Sequence, residues 1–115
     1  MFQKLRTVVY HVPDIEQAKN WYIKITGVQP YFDELFYVGF DINGCELGLD
    51  PDMTGITAGN TSTVYWSVTA IEEKLEQLAT AGASMSQPLT EVGGGIKVAA
   101  VNDPWGNTIG LIEGA

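Results

Sequence analysis

Few side chains in this 115-residue sequence are equipped for acid–base or nucleophilic chemistry, and they are quickly named. His11 is the single histidine and Cys45 the single cysteine. His11 closes a β-branched run, so strand alternation sets it on one face with Thr7 and Val9. Glu46, Gly48 and Asp50 share a face of a second strand, and Asp41 lies across from them. Two chemistries suit this set. His11 could serve as a general base with Asp50 or Glu46 beside it, which requires an orienting group the sequence does not display. A displaced histidine–carboxylate metal site is the other. His11 also reads as a plain hydrogen-bonding residue lining a cleft, or as a surface residue near a strand end. Cys45 alternates with Leu47 and Leu49 and reads as inert core. The sequence holds no G-x-S-x-G, P-loop or dinucleotide fingerprint. Gly93-Gly94-Gly95 lacks the helix and lysine of a phosphate cradle and reads as a hairpin turn.

The elements that must position these residues come in two similar sets. Leu5 to Val12 reads as a strand. Asp14, with Gln17 three residues on, has the spacing of a capping box. From Ile15 to Ile25, Ile15, Ala18, Trp21, Tyr22 and Ile25 form one apolar helical stripe, and Gly27 follows as the C-cap. Short strands are expected near Gln29–Asp33, Phe36–Ile42 and Cys45–Leu49, with Asn43-Gly44 as a two-residue hairpin. Residues 51–60 read as a linker. The order then repeats: a strand over Thr61–Thr69, a helix over Ala70–Ala81 with Ile71, Leu75, Leu78 and Ala79 on one face, an edge strand near Ala83–Glu91 holding Pro88, and strands at Ile96–Val101 and Thr108–Ile112. Asp103-Pro104-Trp105-Gly106 is the tight turn between the last two. Each half is βαβββ, about 1–50 and 61–115, so 1–115 forms a single duplicated domain of the α+β class. Trp21 and Trp66 are placed in the helix–sheet cores.

Composition narrows the partners. A formal charge of −8, from six basic and fourteen acidic side chains, argues against nucleic acid. It suits neutral or cationic partners, although acidity often serves only solubility. With 45% hydrophobic and 17% charged residues the chain is globular in type. One cysteine gives no disulfide framework, no stretch reaches the ~18 apolar residues of a membrane span, and no leader is visible. The expectation is a cytoplasmic protein with no membrane contact.

Val12, Asp14, Ala18, Trp21, Tyr22 and Gly27, then Asp103, Pro104, Gly106, Asn107, Leu111 and Glu113, resemble the vicinal-oxygen-chelate superfamily of glyoxalases, bleomycin-resistance proteins and extradiol dioxygenases. The resemblance implies mixed sheets curled around a cleft, with helices outside. It also implies four metal-ligand positions, one in the first and one in the last strand of each module. Here those positions carry Thr7, Gly48, Thr63 and Gly110. Glycine has no ligating side chain, and threonine is a poor donor for transition metals. No metal and no other cofactor is therefore expected.

Alternation lines the expected cleft with Thr7, Val9 and His11, with Tyr37, Gly39 and Asp41 opposite Asp50, Gly48 and Glu46, and with Thr63, Tyr65 and Ser67. Lys97, Ala99 and Val101 are added beside Ile112, Gly110 and Thr108. Small residues at the centre either admit a flat organic molecule or simply fill a tight sheet junction. Trp105, at its turn tip, reads either as an exposed contact residue or as an ornament of the turn. The run Tyr31, Phe32, Phe36, Tyr37 has more aromatics than one core face can bury, pointing to a pocket rim or a dimer interface. The leading functional expectation is a metal-free homodimer sequestering an aromatic or cationic compound. The alternatives are a metal-independent or displaced-metal lyase or isomerase with His11 as base, and a structural or regulatory homodimer whose cleft is vestigial.

Overall fold

The computed structural model describes residues 3–57 and 63–114, and the chain divides into two compact units, Met1–Ile56 and Thr57–Ala115. The predicted start of the second module at Thr61 lies outside the described residues. Each unit is a four-stranded mixed sheet with one helix, an α+β arrangement.

In the first unit, β1 (Thr7–His11), α1 (Ile15–Thr26), β2 (Phe32–Glu34), β3 (Tyr37–Ile42) and β4 (Cys45–Asp50) form a sheet of order β1-β4-β3-β2. β1 runs parallel to β4, and the other pairs are antiparallel. Asn43-Gly44 makes the hairpin and fixes Ile42 opposite Cys45, as expected. Both turn residues have positive φ, 50° and 92°, the geometry that favours Asn-Gly. The β1 pleat sends Val8, Tyr10 and Val12 into the core with Val38, Phe40, Leu47 and Leu49. α1 packs on β3 and β4 and adds Ala18 and Tyr22. Trp21 is only half-buried. The aromatic centre of this core is instead Tyr10 stacked on Tyr22, ring centroids 5.9 Å apart. Cys45 is half-buried rather than fully enclosed.

α1 begins as its sequence directs. The Asp14 carboxylate accepts from the Gln17 amide at 3.1 Å, and Gly27, left-handed at φ 72°, ends it by donating to the Ile23 carbonyl.

The second unit comprises β5 (Tyr65–Ser67), α2 (Ile71–Thr80), β6 (Ser84–Gly93), β7 (Ile96–Asn102) and β8 (Thr108–Glu113), in order β5-β8-β7-β6. β6 is the edge, with irregular register between Gln87 and Thr90, where Pro88 cannot donate to the ladder. Ile71 and Leu78 are the buried residues of α2, while Ala79 is exposed and Trp66 half-buried. α2 has no N-cap side chain of its own. Ala70 sits in the left-handed region at φ 50°, and the Glu113 carboxylate, 42 residues away, accepts the Ile71 amide at 2.7 Å.

The loop between β7 and β8 corrects one expectation. Asn102 pairs with Thr108, Ala100 with Gly110 and Val98 with Ile112, so Lys97, Ala99 and Val101 lie on the other face, opposite Glu113, Leu111 and Ile109. The cause is one extra residue in the turn. Gly106 donates to the Asp103 carbonyl and then adopts φ 89°, the left-handed bulge of a three-residue hairpin loop. One Asp103 carboxylate oxygen accepts the Trp105 and Asn107 amides at 2.9 and 2.8 Å, and the other accepts the Asn107 side chain at 2.8 Å. That network explains why Asp103 is buried.

Candidate functional site

On the face of the first sheet turned away from α1, the register sets out three rungs. Thr7, Glu46 and Asp41 form one, Val9, Gly48 and Gly39 the next, and His11 pairs with Asp50 in the third. The middle rung carries two glycines, and two tyrosines occupy the room they leave. A Cβ on Gly48 would lie 1.8 Å from the Tyr37 hydroxyl, and one on Gly39 would lie 3.3 Å from the Tyr31 ring. Tyr37 therefore crosses Gly48 and donates to Glu46 Oε2 at 2.5 Å, while Tyr31 donates to Oε1 of the same carboxylate. Both phenols converge on one acid because the strand beneath them has no side chain.

This settles what the small central residues do in this sheet: Tyr37 fills the space over Gly48. Burial, then the charge of Asp50, holds the Tyr37 phenol above its ordinary pKa, and Arg6 partly offsets them. Tyr37 thus stays protonated and remains a donor. Beside this cage opens a depression of about 420 Å³ lined by Arg6, Tyr31, Asp41, Gly44 and Glu46. Arg6 did not stand out as a site residue in the sequence, and Tyr31 did so only as part of an aromatic run at a pocket rim or dimer interface. Arg6 precedes β1, so the strand pleat does not dictate its side, and Tyr31 precedes β2 in the same way.

The three carboxylates do not meet at one point. Asp41 and Glu46 face each other directly, whereas Asp50 lies four residues along β4, roughly 13 Å away. Asp41 accepts the Gly44 amide at 2.8 Å and Asp50 accepts the Asp52 amide at 2.8 Å, so each also braces a turn. His11 has the orienting group that the sequence did not reveal. Its Nδ1 lies 2.9 Å from the Asp52 carbonyl oxygen, which can only accept, so Nδ1 carries the proton. The Asp52 carboxyl is itself held below its usual pKa by the Thr54 amide and hydroxyl.

In the second unit Tyr65 stands directly opposite Gly110. A Cβ there would be 2.6 Å from the Tyr65 ring and 2.7 Å from the Val64 carbonyl oxygen. The Tyr65 hydroxyl reaches Gln87 Oε1 at 3.4 Å. Thr63 is exposed ahead of β5, and Trp105 is half-buried rather than projecting from its turn.

The four positions at which the resemblance implies metal ligands do not fit a divalent metal. Gly48 and Gly110 offer no donor, and tyrosine rings fill the space where one would project. The Thr7 hydroxyl accepts from Arg6 Nη1 at 2.9 Å, which sets a guanidinium where a second cation would be repelled. Among the described residues no three His, Cys, Asp or Glu side chains converge to hold a metal ion.

Known proteins point the same way on fold. No match emerges among curated proteins. A glyoxalase/bleomycin resistance protein/dioxygenase family enzyme from Burkholderia phytofirmans PsJN is 18% identical, with a TM-score of 0.81 over 96% of this chain and 98% of its own. The genomically encoded fosfomycin resistance protein FosX from Listeria monocytogenes is 15% identical, with a TM-score of 0.82 over 100% and 96%. A lactoylglutathione lyase from Agrobacterium tumefaciens is 14% identical, with a TM-score of 0.76 over 96% and 93%. At such identities the likeness speaks for the fold alone. The sequence profile of the glyoxalase/bleomycin resistance protein/dioxygenase superfamily, however, matches residues 4–111, so the chain belongs to that superfamily.

Proposed function

We propose that the chain is a metal-free small-molecule-binding protein of the glyoxalase/bleomycin-resistance type, holding an aromatic or cationic compound in the depression of its first unit. The observation that carries this reading is Tyr31, a residue 61% exposed, beside the Asp41 and Glu46 carboxylates. An exposed aromatic face next to carboxylates suits a flat or positively charged molecule. No proton transfer is needed for sequestration. The test is a thermal-shift titration with a planar aromatic cation such as an acridinium dye, run on the parent protein and on Glu46→Gln. Saturating dye should raise the parent midpoint by several degrees and Glu46→Gln by less. An unmoved midpoint at millimolar dye would refute the reading.

A second copy and a cytoplasmic setting belong to the same proposal. Leu35 and Phe36 are 83 and 66% exposed at the β2–β3 turn, an apolar pair suited to a subunit contact. No helix among the described residues is long and apolar enough to cross a membrane.

One observation favours a second reading, a metal-independent lyase or isomerase. The Asp52 carbonyl, 2.9 Å from His11 Nδ1, holds the ring in one orientation, the fixed group that a single-histidine base requires. His11→Ala separates the two. A binder keeps its affinity within a few-fold, whereas an enzyme using that base loses ~10²-fold or more in rate.

A further inference from the structure

Resting on the binding reading above, the geometry points to a sharper ligand class: an aromatic zwitterion, its oxyanion taken by Arg6, its ring by Tyr31 and its cationic group by Asp41. Arg6 is the only arginine of the sequence, in a chain carrying fourteen acidic side chains. Among the described residues two of the lysines make ion pairs, while Lys4, Lys24 and Lys74, like Arg6, make none. Lys19 pairs with Glu16 and Asp33, and Lys97 with Glu72. Among the described residues Arg6 has no carboxylate within ion-pair distance, and its side chain makes one hydrogen bond, to the Thr7 hydroxyl. A guanidinium has five donors in a planar fork matched to a carboxylate or phosphonate. Most of that fork is unused, on a residue lining the depression.

Glu46, which lines the same depression, is the natural partner, yet both of its oxygens accept from tyrosines. The cage built over Gly39 and Gly48 engages one lone pair on each carboxylate oxygen, and Arg6 makes no ion pair with Glu46 in this arrangement. The positive charge of Arg6 is felt on this face, since it lowers the pKa of Tyr37 against burial and Asp50. A simple anion would be repelled by the net charge of −8, whereas a zwitterion carries no net charge and meets Arg6 and Asp41 at short range.

Three probes with one phenyl ring separate the possibilities: phenylalanine, phenethylamine lacking its carboxylate, and 3-phenylpropionate lacking its amine. Each is titrated into the whole chain by two-dimensional amide NMR, following Gly44 and Glu46, with Arg6→Gln and Arg6→Lys alongside. Phenylalanine should bind roughly tenfold more tightly than phenethylamine, the worth of one charge-assisted contact. Arg6→Gln should erase that margin while leaving phenethylamine within twofold, and Arg6→Lys should restore part of it. Unshifted α1 amides verify that the variants are folded. Equal binding of phenylalanine and phenethylamine, or an equal loss of both in Arg6→Gln, would overturn the inference and leave the binding reading standing. If no probe moves the site amides, the binding reading falls and takes the inference with it.

Discussion

At the scale of single residues, the two sheets treat the same vacancy in different ways. Gly48 and Gly110 occupy matching places in the closing strands, and each lies under a tyrosine. Their neighbours differ in how far they can yield. An added methyl on Gly48 meets only the far end of Tyr37, whereas on Gly110 it also meets the Val64 backbone oxygen at 2.7 Å. Gly48→Ala should therefore cost about 1–3 kcal/mol by swinging Tyr37 off Glu46, and most of that cost should vanish in a Tyr37→Ala background. Gly110→Ala should cost more and should not be rescued by Tyr65→Ala. Urea unfolding of the parent, the four single variants and the two double variants measures both couplings, and equal rescue at the two sites would refute the distinction. Tyr37 also carries a signature in pH. Its phenol is held above the ordinary 10.0, so the unfolded chain releases that proton first. Stability from Tyr37 is complete below pH 10 and is lost as pH climbs through the folded-state value. Tyr37→Phe should cost about 1 kcal/mol at neutral pH for the bond to Glu46. Above pH 10 it should lose less further stability than the parent, and parallel loss in the two would count against this account.

At the scale of elements, the two helices are the same part begun by different means. α1 is capped from within by Asp14, a signal legible in sequence because cap and recipient are three residues apart. α2 borrows Glu113 from the end of β8, a bond spanning 42 residues that no local pattern encodes. The same contrast explains the rest of what was and was not readable. Asn43-Gly44 fixed the β3–β4 register because turn type and register are one local choice. Asp103-Pro104-Trp105-Gly106 identified its turn equally well, but the bulge at Gly106 adds a residue and moves β7 by one, which exchanges its two faces. Glu113→Ala should lower stability by about 1 kcal/mol, or roughly 4 °C in midpoint, with faster amide exchange confined to the first turn of α2. Ala70→Gly should act in the opposite direction, relieving about 1 kcal/mol of left-handed strain at φ 50°. A Glu113→Ala variant that leaves α2 exchange unchanged would show that the cap contributes nothing.

At the scale of the whole molecule, fold and site were legible to different degrees for a physical reason. Periodicity, turns and the duplicated order of elements are properties of the chain's local grammar, and they led to two mixed four-stranded sheets. The site depends on which side chains lean diagonally across strands. Tyr31 reaching over Gly39, and Arg6 entering from ahead of β1, follow no alternation rule. What the sequence did expose was a lack of donors at Thr7, Gly48, Thr63 and Gly110, and the tyrosines over both glycines supply the steric counterpart. This leads to an expectation for the intact protein that concerns neither sheet alone. A metal binding only the native state at a hundred times its Kd would add about 2.7 kcal/mol, several degrees in a chain of this size. Mn²⁺, Ni²⁺ and Zn²⁺, each in tenfold excess over protein at neutral pH, should instead leave the thermal midpoint within about 1 °C of a chelator-treated control. Because Gly48 and Gly110 have no side chain to remove, the informative comparison is His11→Ala under the same titration. A rise of several degrees in the parent that disappears in His11→Ala would locate a metal on the histidine and carry the reading from sequestration to catalysis.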